Sequence, residues 1–305
     1  MSGLLLAVDA GGTNTRAVAL ASITGACRAA LDAAGATADR VEGVVVAMAG
    51  AEGLLSAPEL AAALGVHDGD GRVRKVGDLL AMYFSGAVEP DGAALIAGTG
   101  SVAGRITGGE LGRVAGGSGW LLGDGGSGYW TGVRVARAVV ADLDGTGEPT
   151  ALTAAVLAEF GLVRGGPVRE GRLVALHELT DALYALPPVA LARYAPLAVA
   201  SAATDPVAAR LLERAGDVLA HLLRTVHDGG GPLVAGGSFW RRGILGAGVP
   251  ASTALAEVLA GLDLRAADDG LLGAAVLALR RDTEVDAALH ERVRGSLERV
   301  RGTRP

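Results

Sequence analysis

Short runs of continuous apolar residues alternate with stretches whose apolar positions recur every three to four residues, and glycine-rich turns mark the boundaries. Leu4–Val8 and Arg16–Leu20 read as two strands of an antiparallel hairpin, with Ala26–Ala34 following as a helix. Gly43–Ala49 is apolar throughout, as a buried central strand requires. Pro58–Leu64 predicts a helix, Val73–Val76 a strand ending at Gly77-Asp78, Leu79–Ser85 a helix and Ala93–Ala97 a strand. Beyond Gly104 the pattern turns helical: Val133–Asp142, Ala190–Ala203, Pro206–Val226, Thr253–Gly261 and Leu271–Leu279, interrupted by a strand at Pro232–Ala235. Asp282–Arg301 reads as a charged amphipathic helix.

Three of the glycine turns follow apolar strand-type runs. They are Asp9-Ala10-Gly11-Gly12-Thr13-Asn14-Thr15, Gly98-Thr99-Gly100-Ser101 and Gly236-Gly237-Ser238. The segment Ala93–Ile106 echoes Leu4–Leu20, a weak internal repeat that points to two duplicated α/β lobes with ligands at their strand ends. The length of 305 residues allows two domains. An apolar share of 50% with only 3% aromatics and 48 glycines implies a core of Ala, Val and Leu with close backbone approaches.

A net charge of −6 argues against nucleic-acid and membrane-surface partners, which select a basic face. The single cysteine, Cys27, excludes an intrachain disulfide framework and a cysteine-built zinc site. No apolar run reaches the ~20 residues needed to span a bilayer, and no leader precedes the first strand. The expectation is a cytoplasmic protein.

Phosphate binding needs exposed backbone N–H groups with no Cβ in the way, which suits Gly11-Gly12 and Gly98–Gly100. The Thr13 and Thr15 hydroxyls can donate as well, and Asp9 is suited to a hydrated Mg²⁺. The same residues also read as ordinary turns with a capping Asp. Asp78, closing a strand and opening a helix, reads equally as an N-cap or as a general base. In Gly116–Trp130, Asp124 suits a ligand to sugar hydroxyls, whereas Trp130 reads as a core anchor. Asp268-Asp269 and Arg241-Arg242 read as solvated pairs.

Taken together, DAGGTNTR (9–16), AMAGAEG (47–53), IAGTGS (96–101), GWLLGDGGSGYW (119–130) and VAGGSFW (234–240) resemble the N-acetylglucosamine kinase branch of the BadF/BadG-type ATPases, within the actin–hexokinase–Hsp70 superfamily. The resemblance implies an α/β fold of two RNase-H-like lobes with an interdomain cleft. The expected lobes are residues 1–104, completed by the helix 282–301, and residues 105–281. It implies ATP and Mg²⁺ as cofactors and phosphorylation of an amino sugar, N-acetylglucosamine or glucosamine, at the 6-hydroxyl. An ATPase or ATP-binding sugar sensor is the alternative, and a homodimer is expected.

By the same resemblance, Asp9, Gly11, Gly12, Thr13, Thr15, Gly98, Thr99 and Gly100 fall on the phosphate motifs, with Asp9 on the metal, while Gly236, Gly237 and Ser238 fall on the adenosine motif. Asp78 matches the catalytic base, and Thr99, Ser101, Trp120, Gly123 and Asp124 fall on the sugar site. The chain departs from the family pattern in two places. Gly125 follows Asp124 where a Glu is usual, and Ala21–Gly25 has no room for the customary third strand and its loop.

Overall fold

The computed structural model describes residues 4–10, 16–49, 55–66, 71–245 and 252–302, and the chain divides into two units. The first unit takes in residues 1–94, 106–111 and 265–305, and the second residues 95–105 and 112–264.

The first unit is built on β1 (Leu4–Ala10), β2 (Val41–Met48) and β3 (Val73–Gly77), which form a sheet of order β1-β2-β3. Both pairings are parallel, with Asp9 opposite Ala47 and Met48 opposite Gly77. Parallel strands bring their C-terminal ends to one rim, so Asp9 and the residue after Gly77 leave the sheet on the same side.

The expected antiparallel hairpin is not formed. Arg16–Leu20 belongs instead to an 18-residue helix, Arg16–Ala33, and β1 takes β2 as its neighbour. The alternation in RAVAL resembles a strand, but the alanine-rich continuation ASITGACRAALDA propagates the helix back through it. Ala21–Gly25, where the third strand of the family pattern was missed, lies inside this helix. Ile23, Cys27 and Leu31 recur every four residues and pack against Leu6, Val8, Val44 and Val46 of the sheet. Cys27 is 2% exposed, and burial pushes its thiol up to about 11. A second helix, Ala57–Leu64, begins in a capping box between Ser56 and Glu59.

Helix Gly270–Leu279 lies against β1 and β2 and crosses helix Asp78–Gly86. The crossing is so close that a Cβ on Gly273 would stand 1.6 Å from the carbonyl oxygen of Ala81. The terminal helix starts at Ala287 rather than Asp282 and runs to Gly302.

A five-stranded sheet of order β10-β9-β4-β5-β6 has most of its residues in the second unit. Its members are β4 (Gly92–Ala97), β5 (Ser101–Thr107), β6 (Glu110–Gly116), β9 (Leu233–Gly236) and β10 (Leu264–Ala266); a small hairpin of β7 (Val168–Arg169) and β8 (Arg172–Leu173) stands apart. β4 and β5 confirm the strand-turn-strand reading, whereas β6 has no counterpart in the sequence expectations. Its residues ELGRVAG are mostly exposed, so no apolar run announces them.

Helix Pro206–Val226 forms as expected, with Asp205 capping Val207 and Ala208 N–H. Its apolar positions follow helical spacing along the whole length. The expected helix Ala190–Ala203 is split into a 3₁₀ segment, Pro188–Tyr194, and a short α-helix, Ala195–Ser201, because Pro196 has no N–H for a continuous helix ladder. No helix among the described residues is long and apolar enough to cross a membrane.

Candidate functional site

In the first unit the fold assembles three carboxylates that are far apart in sequence. Asp9 ends β1, and Asp78 is the first residue of helix Asp78–Gly86. Asp269 caps helix Gly270–Leu279, accepting the Leu272 N–H at 3.0 Å. A Cβ on Gly270 would lie 2.6 Å from the Asp9 carboxylate, so only glycine lets the acid rest on this helix start.

Burial raises the Asp9 pKa above its ordinary value, and the charges of Asp269 and Asp78 push it further in the same direction. Burial also raises Asp78, opposed by backbone N–H donors including that of Leu79, 2.9 Å from its Oδ1. The N-cap reading of Asp78 is not met, because Gly77 is the N-cap and Asp78 is the first residue inside the helix; its carboxylate is held by the Leu79 N–H and is partly withdrawn from water. No group of three or more His, Cys, Asp or Glu among the described residues is arranged to hold a metal ion. Asp9, crowded by like charges, suits a cation that takes most of its ligands from water and phosphate. Gly11, Gly12, Thr13 and Thr15 lie outside the described residues.

In the second unit, two of the glycine turns meet. Gly237 has φ +102°, and a Cβ there would stand 2.4 Å from Ala97 O and 2.8 Å from Gly98 N. The carbonyls of Gly98, Thr99 and Gly100 accept hydrogen bonds from Gly128 N (2.8 Å), Tyr129 N (3.0 Å) and Gly98 N (2.9 Å). These bonds fix the shape of the turn and tie it to the start of helix Gly128–Asp144.

Beside the turn lies a cavity of about 320 Å³. Ala195, Pro196, Val199 and Phe239 give it apolar walls, while Thr99, Ser238 and Arg242 supply polar atoms. Apolar walls with a few polar groups suit a small ligand with an apolar ring and polar substituents.

The residues expected to hold the sugar are placed as follows. The Ser101 hydroxyl is 2% exposed and donates to Gly125 O at 2.7 Å. The Asp124 carboxylate lies over Gly100, where a Cβ would come within 2.8 Å of it, and accepts the Ser101 N–H at 3.2 Å. Trp120 is 42% exposed and meets Tyr129 edge-on, with ring centroids 6.1 Å apart. Gly123 bends tightly over Ser118, whose Cβ would be 2.9 Å from a Cβ at that position. Trp130 is half-buried, and the Arg134 guanidinium stacks on its ring 3.3 Å from the centroid.

Two features escaped the sequence reading. Asp269 is a helix cap bearing electrostatically on Asp9 and paired with Arg301, not simply a solvated residue. Arg242 lines the cavity. An Asp-Gly pair at a helix start was the available signal for the first, but nothing local tied it to a residue some 260 positions earlier.

The sequence profile of the BadF/BadG/BcrA/BcrD ATPase family matches residues 5–231. No curated protein matches the chain. Among solved structures, a candidate N-acetylglucosamine kinase from Chromobacterium violaceum is similar with a TM-score of 0.66 and 23% identity, covering 90% of this chain and 98% of that one. A second candidate N-acetylglucosamine kinase, from Porphyromonas gingivalis, has a TM-score of 0.62 and 21% identity, covering 91% and 99%. The α/β fold of this chain is thus shared with these two structures. With the profile spanning well over half of the sequence, the chain belongs to the BadF/BadG/BcrA/BcrD ATPase family.

Proposed function

We propose that the protein transfers a phosphoryl group from ATP to a hydroxyl of an amino sugar, N-acetylglucosamine or glucosamine at the 6-position. The observation that carries this reading is Asp78, a carboxylate partly withdrawn from water, raised in pKa and held at a helix start near Asp9. A raised pKa makes it a stronger base toward a sugar hydroxyl, and its anchoring to Leu79 N–H keeps one oxygen fixed. Phosphoryl transfer asks the protein chiefly for positioning and charge stabilisation. Membership of an ATPase family supports ATP as the donor.

The cavity beside Gly98 and Ser238 suits the adenosine portion, and the Gly98–Gly100 turn its phosphates. Mg²⁺ held by Asp9 would neutralise charge on the phosphoryl group in flight. Asp124 keeps Oδ2 for a sugar hydroxyl while Oδ1 accepts the Ser101 N–H.

Replacing Asp78 by Asn should lower kcat by about 10²–10⁴-fold, the usual contribution of a general base, with ATP affinity almost unchanged. ADP release measured over a panel of sugars tests this directly. Turnover in Asp78→Asn close to that of the unaltered enzyme would defeat the assignment. A second reading, an ATPase or sensor without sugar phosphorylation, draws on helix Arg16–Ala33, which occupies the sequence where the family pattern carries a strand and sugar-contacting loop. ADP release independent of every sugar in the panel would favour it.

A further inference from the structure

The second unit contains another concavity, of about 650 Å³, that shares no residue with the nucleotide-sized cavity. It runs along helix Gly128–Asp144 where that helix faces Val174–Tyr184. Val133, Val140, Leu176 and Leu183 form its walls. Tyr184 stands at its edge, 87% exposed, an aromatic ring that the fold leaves in water. A volume of this size falls in the range of small-molecule sites.

The charged lining of the groove is two arginines, Arg137 and Arg172, against one carboxylate, Asp144, an excess of positive charge. Arg137 lines it, is exposed and has no carboxylate partner among the described residues. Arg172, also lining it, is 60% exposed and has only a loose pairing with Asp144, Nε to Oδ1 at 3.8 Å. That separation is too long for a hydrogen bond, so its donors remain available.

The uncompensated charge is felt by a neighbour one helical turn away. The Arg134 pKa is lowered to about 10, first by burial and then by Arg137 and Arg214. In a chain of net charge −6, an exposed Arg137 with no carboxylate partner among the described residues, beside an apolar trough, is not a by-product of general basicity.

We propose that this groove binds a small amphipathic anion, with its aliphatic or aromatic body between Val133, Val140, Leu176 and Leu183 and its carboxylate or phosphate head on Arg137 and Arg172. Guanidinium forks match both head groups, and the charge-assisted hydrogen bonds would supply selectivity over neutral analogues. Sharing no lining residue with the nucleotide-sized cavity, the site does not depend on the proposed transfer reaction.

The test uses the full chain and two fluorescent probes, 8-anilinonaphthalene-1-sulfonate and its uncharged relative N-phenyl-1-naphthylamine. The sulfonate should bind with saturating ATP present and be displaced by decanoate or decyl phosphate; whichever competes at lower concentration identifies the preferred head group. In the double variant Arg137→Gln/Arg172→Gln, affinity for the sulfonate should fall about tenfold or more, with affinity for the uncharged probe within about twofold of the parent. Both arginines are exposed, so the variant should keep the parent's circular dichroism and melting. Equal sulfonate affinity in parent and variant would overturn the proposal. So would complete displacement of the probe by ATP, which would locate it in the nucleotide cavity.

Discussion

Asp9 and Asp78 show how a fold sets the acidity of a carboxylate without spending a cation on it. Both are raised by burial, and Asp9 additionally by Asp269 and Asp78, so the folded chain binds their protons more tightly than the unfolded chain does. Below the ordinary carboxylate value, about 4, the groups are protonated in both states and contribute no difference. Above the raised folded values both states are ionised, and the folded one bears the cost of crowded, desolvated charge.

Asp9→Asn should therefore increase stability at pH 7.5, and the gain should shrink to nothing as pH falls through about 4. Urea midpoints across that range check the sign; a gain that is constant with pH would refute this origin. Asp78 was legible because a strand-to-helix junction with Gly-Asp is a local pattern. Asp269 and Gly270 were not, because their role depends on a contact that only the folded chain makes.

Among the elements, the strand-turn-strand at Ala93–Ile106 and helix Pro206–Val226 were readable from periodicity, since each buries a regular face. Arg16–Leu20 was misread because a five-residue window cannot distinguish alternation from the start of a long helix. β6 was missed because its glycines and exposed side chains carry no pattern at all.

Glycine has opposite consequences in two helices of the first unit. A Cβ at Gly25, inside helix Arg16–Ala33, meets nothing within 4 Å, so Gly25→Ala should stabilise by about 0.5–1 kcal/mol. A Cβ at Gly273 meets Ala81 O at 1.6 Å, so Gly273→Ala should destabilise by about 1–3 kcal/mol or more by forcing two helices apart. Because those helices present Asp78 and the Asp9 contact, the second variant should also lose activity beyond what unfolding explains. Denaturation midpoints moving in the same direction for both variants would contradict this packing.

At the scale of the molecule, the family and the α/β class were legible because the glycine turns and the GWLLGDGGSGYW segment are short, contiguous strings. A return of the chain to the N-terminal unit was expected only for helix 282–301, whereas all of residues 265–305 fall in that unit. That return covers one side of β1 and β2, while helix Arg16–Ala33 seals Cys27 against Leu6, Val8, Val44 and Val46. The chain's single thiol is thus silent in the folded state, with its thiolate suppressed near neutral pH by burial.

It follows that the protein carries its own clock for opening. A disulfide reagent such as dithionitrobenzoate at pH 8 should react with the native chain only as fast as this helix lifts from its sheet. The rate should climb in sub-denaturing urea before the midpoint of global unfolding is reached. Rapid stoichiometric labelling of the untreated protein would show that the helix is not seated. A slow, urea-sensitive rate would instead turn one cysteine into a continuous readout of how often the unit bearing Asp9 and Asp78 comes apart.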